Sequence, residues 1–411
     1  MRIALLSAFL FDRSVGGIEN HVRFMVKELQ TRGHDIIVFR PLFGSSARDS
    51  EAIVDGVRVK TIQLSAPWFN PRRLGGGSLL GLASAFLGKL IFSLARTRVV
   101  HAVRSWHPDI VWQHDFSSNW LATRRLSHFF PVVLTNHTGE YLVLSRLPWG
   151  KRLVSLLLRH YAAIIGPSVE LTPPLPDRAV TIPNGVDAEV FSPIEQTARR
   201  LLRKTALHVD HEFVVLCPRR WAPTKGIIFL ARAIRELDRQ YGSDLQMVFA
   251  FAGDRHEDYP RYADEVDGIL QGLRVRVERL GNVDVYRLRD YYRAADLVVI
   301  PSLMEAVSLA ALEAMACGTA VLATSVGGMT DLVSPGATGY LVDAADANAL
   351  REAILRARDD PQRSAIALRA LDLVRRNYGW RRIAEATERV LVGALAGRRP
   401  DDPSPRTSAT D

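Results

Sequence analysis

The sequence predicts an α/β protein made of two successive doubly wound, Rossmann-like domains. Three observations predict it. Short β-branched runs alternate with longer amphipathic segments along most of the chain, the signature of parallel βαβ units. One breaker-rich stretch, "TIPNGVDAEVFSPIE", divides the alternation into two series. The length of 411 residues allows two domains that each bury a core.

In the first series the strand candidates are "RIALLSA", "DIIVFR", "VRVKTIQL", "DIVWQH", "PVVLTNH" and "AAIIGPS". Between the first two lies "ENHVRFMVKELQTRG", where Val22, Met25, Val26 and Leu29 share one helical face and Gly33 suits a C-cap. The second series comprises "EFVVLCP", "LQMVFAFAG", "VRVERLG", "DLVVIPS" and "AVLATS", again with amphipathic segments between strands. From Asp343 the pattern turns helical to about Leu395. The expected organisation is a first domain over 1–184, a linker over 185–193 and a second domain over 194–375. A last helix over 376–396 is expected to pack back on the first domain, and the Pro/Ser/charge-rich tail over 397–411 to be disordered.

Composition narrows the class. A hydrophobic content of 47% and a charged content of 24% fit a soluble globular protein. Two cysteines, Cys217 and Cys317, sit in apolar runs; they are too few for a disulfide framework and suggest a cytoplasmic, reducing compartment. The N-terminus lacks a basic region and a cleavage site, so it reads as a strand rather than a signal peptide. The most membrane-like stretch, "LGGGSLLGLASAFLGKLIFSLA", carries Lys89 and several glycines, which argues against a spanning helix and for a buried or membrane-contacting one.

The net charge of +9 is uneven: residues 1–190 hold 22 Lys+Arg against 14 Asp+Glu. An anionic partner of the first domain is one explanation, and an Arg-rich genome another, since 47 of the 53 basic residues are Arg. There is no zinc-type Cys/His spacing and no nucleic-acid module, so no nucleic-acid partner is expected.

Doubly wound sheets bind ligands beyond the carboxyl ends of their strands. Four strand-end loops stand out there. "SVGGIENHV" offers Gly16 and Gly17 for close backbone approach ahead of a helix N-terminus, although it is not a dinucleotide fingerprint. "LTNHTGEY" places His137 at a strand end. "CPRRWAPTKG" places Arg219 and Lys225 as a pair suited to a diphosphate, Arg through two donors and Lys as a point charge. "MEAVSLAALEAMACG" holds Glu305 in a loop and Glu313 within a helix expected from about Val307. Each carboxylate can accept hydrogen bonds from a vicinal diol. Taken singly, each loop is equally explained by an ordinary turn, a structural histidine or solvated charges.

Taken in order, "GGIENH", "NHTGEY", "RRWAPTKG" and "EAVSLAALEAMACG" resemble the retaining GT-B glycosyltransferases of family 4. The resemblance covers about residues 1–395, and it implies two Rossmann-like domains facing across a cleft. It further implies that Arg219 and Lys225 hold a donor diphosphate, that Glu313 binds the ribose and that Glu305 binds hydroxyls of the transferred sugar. Ala306, Val307, Ser308 and Leu309 would offer backbone amides to the distal phosphate and sugar. Gly16 and Gly17 would approach from the first domain, and His137 would contact or orient the sugar; His137, Arg219, Lys225 and Glu305 are thus the expected catalytic set.

Two positions depart from the family pattern, which usually has Gly where this chain has Ala306 and Pro218. The implied reaction moves a hexose-type sugar from a UDP- or GDP-linked donor to a glycan or lipid-linked acceptor, with retention, in cell-envelope, exopolysaccharide or glycolipid synthesis. No Asp-x-Asp triplet occurs, so neither a metal nor another cofactor is expected. A basic and apolar first domain also fits peripheral attachment to the inner face of an anionic membrane. The alternatives are a GT-B nucleotide-sugar epimerase and a non-catalytic nucleotide-sugar-binding protein at a membrane surface.

Overall fold

The computed structural model describes residues 1–7, 17–43, 49–64, 96–114, 119–137, 144, 147–255 and 259–397. Gly16, the apolar stretch around 74–95, the residues after His137 in "LTNHTGEY" and the tail from 398 lie outside them. The chain divides into two units: Met1–Pro183 with Trp380–Asp411, and Asn184–Gly379.

The first unit is built on an eight-stranded sheet of order β3-β4-β2-β1-β5-β6-β7-β8. Its strands are β1 (Arg2–Leu6), β2 (Asp35–Phe43), β3 (Ser50–Val54), β4 (Val57–Leu64), β5 (Ile110–His114), β6 (Val132–Thr135), β7 (Ala163–Gly166) and β8 (Ala179–Thr181). All pairings are parallel except the β3–β4 hairpin. The edge strands β3 and β8 escaped sequence reading because β3 is exposed and β8 spans three residues, so neither carries a buried hydrophobic run.

Helix α1 (Gly17–Thr31) buries Val22, Met25, Val26 and Leu29, the face that the sequence marks. It ends where Gly33, at φ +84°, takes the left-handed conformation that a side chain resists. The remaining described helices of this unit are α2 (Arg96–Ser105), α3 (Trp120–Leu126), α4 (Gly150–Leu158) and a C-terminal helix, Trp380–Leu395. The last packs on α1: Phe24 stacks on Trp380 with centroids 5.3 Å apart, and Glu388 accepts from Arg32 at 2.6 Å.

The second unit is a six-stranded parallel sheet of order β11-β10-β9-β12-β13-β14. Its strands are β9 (Phe213–Cys217), β10 (Met247–Ala252), β11 (Arg276–Gly281), β12 (Leu297–Ile300), β13 (Ala320–Thr324) and β14 (Tyr340–Val342). In sequence rank this is the 3-2-1-4-5-6 order of a doubly wound sheet, which reverses between β9 and β12. Residues of β9 alternate between two cores: Val214 and Leu216 face one, and Phe213, Val215 and Cys217 the other. This explains the unbroken apolar runs, since a sheet covered on both faces needs no polar side. Residues 184–193 run with this unit, where the Val186 amide donates to the Tyr378 carbonyl at 2.7 Å.

Both cysteines are buried, and burial pushes each thiol up to about 12, so neither is poised to react.

Candidate active site

The reversal of strand order in the second unit places two loops side by side, one leaving β9 and one leaving β12. The first loop carries Arg219 and closes in a short 3₁₀ turn, Pro223–Lys225, before helix α5 (Ile227–Tyr241). The second carries Ser302 and Glu305 and runs into helix α6 (Leu309–Ala316), whose N-cap is Ser308.

The loops are tied through their backbones. The Thr224 carbonyl accepts from the amides of Leu303 at 2.9 Å and Met304 at 3.3 Å. Gly226 makes this approach possible: it sits at φ +64°, and a Cβ there would lie 1.8 Å from the Pro301 carbonyl oxygen. Asn184 supplies a further tie, donating from Nδ2 to the Val307 carbonyl at 3.0 Å.

Within this frame Arg219, Lys225 and Glu305 converge. Glu305 Oε2 accepts from the Arg219 guanidinium, from Lys225 Nζ at 3.0 Å and from Ser302 Oγ at 3.1 Å. Arg219 also donates to Ser308 and Ser302 hydroxyls, each at 3.2 Å, and its Nε has no hydrogen-bond partner among the described residues. The side chains of Arg219 and Glu305 are only 10% and 13% exposed, so the attraction acts at low dielectric and solvent does little to weaken it.

Charge states follow from these contacts. Burial opposes the charge on Glu305, but Arg219 and then Lys225 outweigh it and hold the carboxyl below its usual range. Burial, and next the Arg219 charge, push Lys225 down to about 8, against the pull of Glu305. The cluster therefore holds two cations and one anion at neutral pH. Its net positive charge, at the carboxyl ends of β9 and β12 and beside a helix N-terminus, suits an anion.

Glu313 lies one turn inside α6 and meets a residue that sequence reasoning missed. The hydroxyl of Tyr292, in helix Val285–Ala294, donates to Glu313 Oε2 at 2.9 Å. Burial pushes Glu313 up to about 7, although Tyr292 and Arg219 favour its charge.

The start of α6 fixes which loop amides are free of helical partners. Leu309 and Ala310 open α6, so their N–H groups have no carbonyl one turn earlier to accept them. Ser308 Oγ makes no capping bond and accepts from Arg219 instead. The helix starts two residues later than the sequence suggests, which leaves Val307 and Ser308, like Ala306, ahead of it. Ala306 is not among the non-glycine residues with positive φ, so the family's usual glycine is not required there.

Elsewhere, in the first unit, Gly17 is the first residue of α1, and His137 follows β6 with its ring against His114, Nε2 to Nδ1 2.9 Å apart. Burial pushes His137 down to about 4, so the ring is neutral at pH 7.

Two successive doubly wound sheets, the second bearing an anion-suited cluster at its switch point, define a GT-B protein. Residues 15–190 match the family described as Glycosyltransferase Family 4, and residues 212–360 that described as Glycosyl transferases group 1. The D-inositol 3-phosphate glycosyltransferase of Kineococcus radiotolerans is 30% identical over 97% of this chain and 96% of its own. A glycogen synthase of Mycobacterium tuberculosis is 28% identical over 99% and 97%. Among solved structures, sucrose-phosphate synthase from Thermosynechococcus elongatus has a TM-score of 0.75 at 23% identity, covering 96% of this chain and 99% of that one. The chain belongs to glycosyltransferase family 4, and it is a glycosyltransferase that uses nucleotide sugars.

Proposed function

We propose that the chain is a retaining hexosyltransferase that takes its sugar from a UDP- or GDP-linked donor and passes it to a glycan or lipid-linked acceptor of the cell envelope. The observation that carries the site assignment is the Arg219–Lys225–Glu305 cluster with Glu313 one turn beyond it. In this reading a diphosphate enters beside Arg219 and Lys225 and takes up donors now directed at Glu305. Arg219 contributes its unpartnered Nε, and Lys225 contributes a point charge. The amides of Ala306, Val307, Ser308 and Leu309 receive the distal phosphate. Released from part of its cation load, Glu305 accepts hydroxyls of the sugar, while Glu313, held by Tyr292, accepts the ribose diol.

Bond breaking places charge on the leaving diphosphate. Once the bound diphosphate has taken up Arg219, Lys225 and the helix amides, these groups stabilise the developing charge without further reorganisation, which is usually the largest single contribution to catalysis. Attack on the same face as the departing phosphate, with that phosphate receiving the acceptor proton, gives retention. This reading also assigns to donor recognition His137, neutral and half-buried, and the Gly16–Gly17 turn, of which Gly16 lies outside the described residues. The chemistry as written uses no metal at the diphosphate and no other cofactor.

The test is calorimetric binding of UDP, GDP and ADP, followed by transfer assays with the preferred donor. Proton NMR of the product then reads the anomeric configuration. Micromolar binding of one nucleotide that is lost in Glu313→Ala, with retained configuration, supports the reading. Donor conversion without acceptor would move the chain to the epimerases, and binding without turnover to the non-catalytic proteins.

Peripheral attachment to an anionic membrane is supported by α4 and the residues before it. Trp149 is 76% exposed, and Leu147, Leu153 and Leu156 are exposed beside Lys151 and Arg152. An aromatic, several leucines and adjacent cations are what an interfacial segment needs. Among the described residues no helix is long and apolar enough to cross a membrane. Co-sedimentation with anionic vesicles that falls with salt, and in Trp149→Ser/Leu153→Ser, supports attachment; indifference to lipid charge removes it.

A further inference from the structure

Three histidines from separate segments of the first unit meet at the carboxyl end of its sheet. His21 lies in the second turn of α1, His114 is the last residue of β5, and His137 follows β6. The sheet reverses its order between β1 and β5, the position where open α/β sheets hold ligands. One ring nitrogen of each histidine lies within 4.8 Å of the others, and the rings of His21 and His137 sit 4.6 Å apart.

We propose that His21, His114 and His137 form a site for a divalent transition-metal ion of the zinc class, with one position open to an oxygen ligand. Three imidazoles and an open position make a donor set that suits zinc, and imidazole is equally acceptable to cobalt and copper. Tetrahedral ligation at about 2.0–2.1 Å would set the nitrogens about 3.4 Å apart. The observed spacings, 2.9 Å for His114–His137 and up to 4.8 Å for the trio, bracket that value.

Two further observations point the same way. His21 and His114 are 4% and 0% exposed, so this is a built pocket rather than a chance surface group. His114 Nε2 is buried with no hydrogen-bond partner among the described residues, and the 2.9 Å contact between His114 Nδ1 and His137 Nε2 is a hydrogen bond between rings that ligation through Nδ1 would replace. Ligation through His137 Nε2 would fix its other nitrogen, Nδ1, as a donor, which leaves the sugar contact proposed above intact. None of the three ligands carries a charge, so an anionic oxygen, from hydroxide or a phosphate, is the favoured fourth ligand.

The experiment uses tag-free, full-length protein titrated with Co²⁺, then displaced by Zn²⁺ in competition with a chromophoric chelator. One ion per chain is expected, with intense visible d–d bands of tetrahedral cobalt. Tryptophan emission should be quenched, since Trp112 lies 4.4 Å from His114 and Trp380 5.5 Å from His21. The double variant His21→Gln/His114→Gln should lose more affinity than the roughly 10–100-fold typical of removing an outer-shell partner. If circular dichroism shows that variant unfolded, His137→Gln, at a half-buried position, carries the same test. Absence of cobalt bands, or affinity retained by the folded variant, overturns the proposal and leaves a neutral hydrogen-bonded triad. None of these readouts depends on sugar transfer.

Discussion

The hydroxyl of Tyr292 donates to Glu313 Oε2 at 2.9 Å, joining two adjacent helices of the second unit at the proposed ribose contact. Glu313 therefore does not wait in solvent for its ligand; one oxygen is already oriented. Because a hydrogen bond to a charged group contributes about 1.5–3 kcal/mol, Tyr292→Phe should weaken nucleotide binding by about one to two decades. Calorimetry checks this, and unchanged affinity would show that Tyr292 plays no part in binding.

The raised carboxyl of Glu313 also predicts a conflict between stability and binding. It binds its proton more tightly in the folded protein than in the unfolded chain. Its contribution thus favours folding below its ordinary value of 4.5 and is lost as pH rises through about 7. At pH 8 Glu313→Gln should melt a few degrees above the parent, and at pH 4 the difference should vanish. The same variant should bind donor nucleotide more weakly. A variant less stable than the parent at pH 8 contradicts the charge assignment.

Lys225 predicts the alkaline limit of donor binding. Its ammonium is lowered to about 8, so the folded protein loses this charge well before an ordinary lysine would. Diphosphate affinity should fall as pH rises through about 8, approaching tenfold per unit if only the charged form binds. Lys225→Arg should keep its charge and flatten the profile between pH 8 and 10. Parallel profiles for the two proteins would remove Lys225 from the clamp.

Gly226 tests the loop pairing. Any side chain there meets the Pro301 carbonyl and strains a φ of +64°. Gly226→Ala should destabilise the second unit by about 3 kcal/mol or more and lower donor affinity with it. A denaturant melt that matches the parent would show that the loops are not in contact.

Asn184→Ala should leave the Val307 carbonyl without its donor, at a cost of about 1–3 kcal/mol. Donor affinity should fall more than affinity for the bare nucleoside, since Val307 belongs to the proposed phosphate loop and not to the proposed ribose contact. Equal losses for both ligands would mean a general loss of structure.

The sequence by itself determined the α/β class, most strands of both sheets, and the positions of Arg219, Lys225, Glu305 and Glu313. These are local signals: apolar runs mark doubly covered strands, and glycine, proline and charge mark the loops that leave them. Tertiary structure decided which groups each of them meets. Ser302 and Thr224 are ordinary loop residues until the β9 and β12 loops are brought side by side. Tyr292 reads as one more helix aromatic, and Asn184 as a turn residue. His21, His114 and His137 have no metal-type spacing because their segments are distant in the chain, and parallel strand order alone brings them together. Periodicity and turn chemistry act over a few residues, whereas a site forms from side chains that only the crossover connections of the sheets make neighbours.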